Sequence, residues 1–216
     1  MKPPSVRRIR AKDIHWDWEG GPRVVYGQGD AAKIDPTPCY PHDEVLVRQT
    51  LQRCSEAFPP RSPLTVWLLE HETTARTNGW SSYRYQRQGQ RAPAGGDIVL
   101  SGKRVPIHPA MTRYLVAHEY GHHVQTWIEA DRGMDRDALH AEYIALRGLK
   151  EQPYYGPGTW HLSPGELLAC DFRILVAQTE LEFWPHPGTE RPEAMPKVQA
   201  WWQDALGDLR ALRKAT

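Results

Sequence analysis

The chain has 216 residues, with 27 Lys+Arg against 26 Asp+Glu and a formal net charge of +1. That length holds one domain with a real core, and the balanced charge speaks against a polyanion-binding surface and against a long charged tail. No run of ~18 apolar residues occurs and no apolar segment follows the basic start, so the sequence predicts no membrane span, no secretory signal and a cytoplasmic protein.

Residues 1–41 carry Pro3, Pro4, Pro22, Pro36, Pro38 and Pro41 around Trp16 and Trp18. They read as an N-terminal arm with a short hairpin, docked on the body by its tryptophans. The basic run Arg7, Arg8, Arg10 and Lys12 reads as part of a solvated arm, so no nucleic acid is expected as a partner. Residues 42–216 read as the body. Three cysteines, Cys39, Cys54 and Cys170, are too few for a disulfide framework and fit a reducing compartment.

Val47, Leu51, Cys54 and Phe58 fall at i, i+4, i+7 and i+11 and predict a helix over 42–58, which Pro59 and Pro60 end. Leu64 to Glu70 reads as a buried strand, and Trp80 to Tyr85 as a second strand. Gln86 to Gly96 reads as an exposed loop. Asp97 to Ser101 (DIVLS) reads as a third strand, ending at Gly102. Pro109 opens a long helix to about Ala130, with Tyr114, Ala117, Gly121, Val124 and Ile128 on its core face. A further helix is expected over 135–150, then a Pro/Gly/aromatic loop. Ser163 and Pro164 start a helix that the pattern carries to Phe183, and a last amphipathic helix spans 195–213. Trp127, Trp160, Trp201 and Trp202 read as core or cleft wall. Helix, small sheet and then helices give an α+β domain with segregated layers.

The sharp signal is His118-Glu119-Tyr120-Gly121-His122 within the 109–130 helix. Residues i and i+4 share a helix face, so both imidazoles can hold one Zn²⁺ at ~2.0–2.1 Å. Glu119 is rotated by about 100° from His118, away from the metal itself but within reach of a water on it, the place of a general base. Gly121 lies on the packed side, where another backbone could approach. His123 reads as a surface residue or as one supporting the ligands.

A third protein ligand has several candidate sources. A histidine six residues after His122 is absent, because that position is Ile128, and Gln125 stands where a glycine would accompany it. Asp131, Asp135 and Asp137 follow the helix. Glu166, 44 residues beyond His122 on a separate helix, is the favoured ligand. The same residue completes a Ser163-x-x-Glu166 capping box, so two roles compete for one carboxylate. Cys170 lies one turn later on the same face and reads as core close to the metal.

HEYGH followed by Glu166-x-x-Ala169-x-x-Phe172-Arg173 resembles the gluzincin peptidases. The resemblance is closest to the catalytic domain of anthrax lethal factor and its relatives, and looser to the ImmA/IrrE peptidases. It covers about residues 97–210 and rests on two short blocks. It implies a zincin-like metallopeptidase domain: a small mixed sheet, an active-site helix and a C-terminal helical lobe. It further implies zinc held by His118, His122 and Glu166, with Glu119 as base, and a substrate lying extended along Asp97–Ser101 as the edge strand of the sheet. In the lethal-factor type an acidic residue four after the glutamate supports a ligand histidine. Here that position is Cys170, with Asp171 beside it. The type also places an oxyanion-donating tyrosine seven before the glutamate, where this chain has Thr159. Tyr155, or else Tyr154 or His161, is the expected donor. The expectation is a zinc-dependent endopeptidase acting on a peptide or protein substrate. The alternatives are a zinc-stabilised, non-catalytic binding protein and a dedicated repressor-cleaving regulator.

Overall fold

The computed structural model describes residues 4–9, 39–70, 72, 78–84, 94–150, 162–179 and 184–215. They form a mixed α+β structure with one four-stranded sheet and five α-helices. The strands are β1 (Ser5–Ile9), β2 (Leu64–Leu69), β3 (Gly79–Arg84) and β4 (Gly95–Leu100), in the spatial order β1-β2-β4-β3. β1, β2 and β4 run parallel, and β3 pairs antiparallel with β4.

Two expectations change here. Ser5–Ile9, read as arm, is a strand of the sheet, with Val6 paired to Val66 and buried. The rest of the arm, including Trp16 and Trp18, lies outside the described residues. Asp97–Ser101, expected at the sheet edge, is also placed differently. β4 lies between β2 and β3 and is buried along its whole length, so the Asp97–Ser101 segment has no free edge. The edge strand beside the long helix is β3.

The helices are α1 (Glu44–Ala57), α2 (Pro109–Arg132), α3 (Arg136–Leu146), α4 (Pro164–Asp171) and α5 (Pro196–Ala215). α1 forms where expected: Asp43 accepts from Val45 N at 2.8 Å as N-cap, and Val47, Leu51, Cys54 and Phe58 are all buried. α2 starts with His108 as cap and Pro109 as first residue, and closes on Gly133 at φ 65°. It is central, packing on α1, β3, β4 and α4. Every residue from Tyr114 to Gly121 is buried, so the single core face expected of it is an all-round burial.

α4 is shorter than its pattern implied. After Asp171 the helix widens into one π-type turn (Phe172–Val176), where Ala177 N donates to Phe172 O at 2.9 Å. Gln178 then takes a left-handed φ of 49°, and Thr179 N returns to Arg173 O, so the helix ends at this point. Trp127, Trp201 and Trp202 are buried in the main core. Trp160 lies outside the described residues. Among the described residues, no helix is long and apolar enough to cross a membrane.

Candidate metal centre

Three close approaches build the site. First, α2 lies flat on the sheet because Gly96 carries no side chain. A Cβ there would overlap the His123 ring, which sits edge-on to Tyr83 and donates from Nε2 to Asp97 O at 3.2 Å. His123 is thus a fully buried pin between helix and sheet, and not a ligand. Second, α2 touches α4 backbone to backbone. A Cβ at Gly121 would lie 2.8 Å from Ala169 Cα and 2.9 Å from Ala169 O. Third, α4 is anchored from behind by a buried ion pair. Arg147 Nε donates to Asp171 Oδ2 at 3.0 Å, its Nη2 reaches both carboxylate oxygens, and Tyr143 Oη donates to the same carboxylate. Asp171 therefore turns away from the histidines.

The Gly121–Ala169 contact brings Glu166 over the HEYGH face. Glu166 Oε2 lies 3.0 Å from His118 Nε2, and Oε1 lies 3.5 Å from His122 Nε2. The two rings stand at 85° with centroids 4.9 Å apart. Ligand atoms of the three residues all lie within 4.8 Å of one another, so the group can hold a metal ion. Two ligands at ~2.1 Å on a tetrahedral ion are about 3.4 Å apart, so the set fits a common first-row cation with little movement. Ser163 makes no side-chain cap to its helix, so the capping-box role is not the one Glu166 adopts. The other candidates are used elsewhere. Asp131 pairs with Arg61 at 2.8 Å, Asp135 caps α3, and Asp137 sits in the first turn of α3.

Glu119 is buried beside the histidines, with Oε2 accepting from Ser81 Oγ at 2.8 Å. Burial raises its carboxyl above the ordinary range, against the charges of His118 and His122 and the Ser81 hydrogen bond. Burial also acts to raise Glu166, but hydrogen bonds from both histidines outweigh it and hold this carboxyl well below the ordinary range. Two carboxylates in one site are thus pushed in opposite directions, one toward holding a cation and one toward taking a proton.

Behind the site, Cys170 Sγ lies 3.3 Å from His118 Nδ1. Burial raises the Cys170 thiol, while the charge and hydrogen bond of His118, and those of His186, bring it down to about 5. Tyr114 stacks on the His118 ring at 10°, and the Arg173 guanidinium lies 4.7 Å over Tyr114. Both sides of His118 are therefore fixed. A further contact was not legible in the sequence: Gln125 Nε2 donates to His140 Nε2 at 2.8 Å, next to Gly165 at the start of α4.

In front of the ligands opens a cleft of about 510 Å³. It is lined by Asn78, Gly79, Trp80, Ser81 and Tyr83 from β3 and the residue before it, by Tyr114, Leu115, His118, Glu119 and His122 from α2, and by Glu166 from α4. Tyr154, Tyr155, Thr159 and His161 lie outside the described residues. Compared with known proteins, the chain matches no family model, no curated protein and no solved structure.

Proposed function

We propose that the chain is a zinc-dependent endopeptidase of the gluzincin type. The observation that carries this reading is the Glu166 carboxylate against both motif histidines, with Glu119 beside them lining the same cleft. Two nitrogens and one carboxylate oxygen, with a cleft on the fourth side, are the donor set of a catalytic rather than a structural zinc site. Zn²⁺ bound there would supply Lewis acidity to a scissile carbonyl and would lower the pKa of water on it toward ~7.

His118, His122 and Glu166 would hold the ion, and Cys170 fixes the ring of His118 through Nδ1. Glu119 takes the proton of the attacking water and passes it to the leaving amine. A raised carboxyl suits both halves of that task. The peptide lies extended along β3. The hydrogen bond from Ser101 N to Asn78 O sets the alternation of the β3–β4 ladder. It turns the backbone groups of Gly79, Ser81 and Tyr83 toward the outer edge, where no described strand pairs. Oxyanion donation falls in this reading to Tyr155, Tyr154 or His161.

The test is a broad peptide-library cleavage assay on wild-type and Glu119→Gln protein, with equal zinc content verified. Wild type should cleave, and the variant should lose about 10²–10⁴ in rate while keeping its zinc. Comparable cleavage by both proteins would remove Glu119 as base. Zinc-loaded wild type that cleaves nothing would favour a zinc-stabilised binding protein.

A further inference from the structure

The edge strand does more than offer a ladder to a peptide. Ser81 lies in the middle of β3, and its side chain points at α2. Its Oγ is 2.8 Å from Glu119 Oε2 and 2.9 Å from Glu119 O. A hydroxyl has one proton to give. Glu119 O sits mid-helix and already accepts an α-helical hydrogen bond, whereas the carboxylate is the stronger, charged acceptor. The Ser81 proton therefore belongs to Oε2.

That assignment makes the two oxygens of Glu119 unequal. Oε2 is tied to the strand. Oε1 faces Gly79, where a Cβ would stand 3.4 Å from it and also 3.1 Å from Val99 O. The glycine lets β3 lie close to α2 without a side chain over Oε1. A carboxylate without the Ser81 bond can rotate about its last torsion and exchange its oxygens, because that torsion is broad and two-fold.

We propose that Ser81 is a positioning residue for the base: its hydroxyl fixes Glu119 Oε2 and leaves Oε1 as the oxygen that exchanges the proton with water and leaving group. This rests on the peptidase reading above. It adds a link between binding and chemistry, since the residue that holds the base through its side chain turns its backbone toward the edge that receives substrate. A peptide seated in register on β3 is therefore also in register with Oε1.

Nothing in the sequence marks this serine. In the run Trp80-Ser81-Ser82-Tyr83 it is one of two adjacent polar residues on a half-buried strand, and only the fold separates them.

The experiment compares zinc-loaded wild type, Ser81→Ala and Ser81→Thr by steady-state cleavage of one extended peptide found in the library assay. Zinc content and thermal midpoint are measured on each protein, and a crystal structure of zinc-loaded Ser81→Ala is determined. Ser81→Ala should lose about 10–100-fold in kcat, a part of the base's ~10²–10⁴, with KM and zinc content within about threefold. Ser81→Thr keeps Oγ and suits a strand, so it should recover to within about fivefold of wild type. The crystal structure should show the Glu119 carboxylate rotated or in two positions. A wild-type kcat in Ser81→Ala overturns the proposal. So does a loss carried by KM or zinc, a threonine variant no better than alanine, or a Glu119 carboxylate that has not moved. If wild type itself cleaves nothing, the peptidase reading falls, and the crystal structure alone decides whether Ser81 sets the Glu119 carboxylate.

Discussion

Gly121→Ala places a methyl group where the structure has no room for one. Its Cβ would stand 2.8 Å from Ala169 Cα and 2.9 Å from Ala169 O. Ordinary contacts between carbon atoms lie at ~3.5–4.0 Å, so α2 and α4 must part by about 0.7 Å or more. The obstacle is backbone, and no rotamer change can absorb it. Overpacking of this kind costs about 1–3 kcal/mol, and alanine returns about 1 kcal/mol as the better helix former. The net loss of stability is about 0–2 kcal/mol, a fall in Tm of at most about 8 °C for a chain of this length. The metal site is far less tolerant. Glu166 rides on α4 and both histidines ride on α2, and ligand distances must hold to about ±0.2 Å. Zinc affinity should therefore fall about 10–100-fold, the range seen when ligand support is disturbed. Competition against a chromophoric chelator measures the affinity, and thermal melting of chelator-treated protein measures the stability. Adding Ala169→Gly should not restore affinity, because the clash is with Cα and O rather than with the alanine methyl. Wild-type affinity in Gly121→Ala, or recovery in the double variant, would refute the claim that this backbone contact sets the third ligand.

Cys170→Ala removes the Nδ1 partner of His118 at 3.3 Å and should weaken zinc binding about 10–100-fold. Cys170→Ser, which keeps an acceptor, should lose less, and the same chelator competition checks both. Burial brings the pKa of His42 and of His140 down to about 4 from 6.5, so both are neutral in the fold and charged in the unfolded chain between those values. The unfolded state binds more protons in that window. Stability therefore falls as pH drops from about 6.5 to 4, by on the order of 3 kcal/mol for each histidine. Urea unfolding of chelator-treated protein at several pH values should show a shallower acid loss for His42→Gln and for His140→Gln, and an unchanged slope would contradict the assignment.

What the sequence made legible followed from short-range regularity. The α1 stripe, the extent of α2 and the i, i+4 histidines are properties of one helix, and a 3.6-residue period exposes them. Glu166 could be singled out because a two-histidine site needs a partner and an acidic residue opened a nearby helix. What stayed hidden was set by contacts across the chain. β1 reads SVRRI, with two adjacent arginines, and gives no strong strand pattern; its partner β2 completes it. The apolar run in β4 is itself a sign of a strand buried on both faces and therefore interior, whereas the edge placement rests on the family resemblance alone. The π-type turn after Asp171 preserves an apparently continuous helical pattern while shifting its register. His123 and Ser81 are ordinary polar residues until Gly96 and Glu119 are brought against them.

The central claim is a single zinc ion on His118, His122 and Glu166 with Glu119 facing it. The most direct test is a crystal structure of the purified protein with diffraction recorded on both sides of the zinc absorption edge. The account predicts one anomalous peak per chain, ~2.0–2.2 Å from Nε2 of both histidines and from a Glu166 carboxylate oxygen, with Glu119 outside bonding distance of the ion. A peak elsewhere, an ion bound by Glu119, or a Glu166 carboxylate turned back onto the first turn of α4 would contradict it.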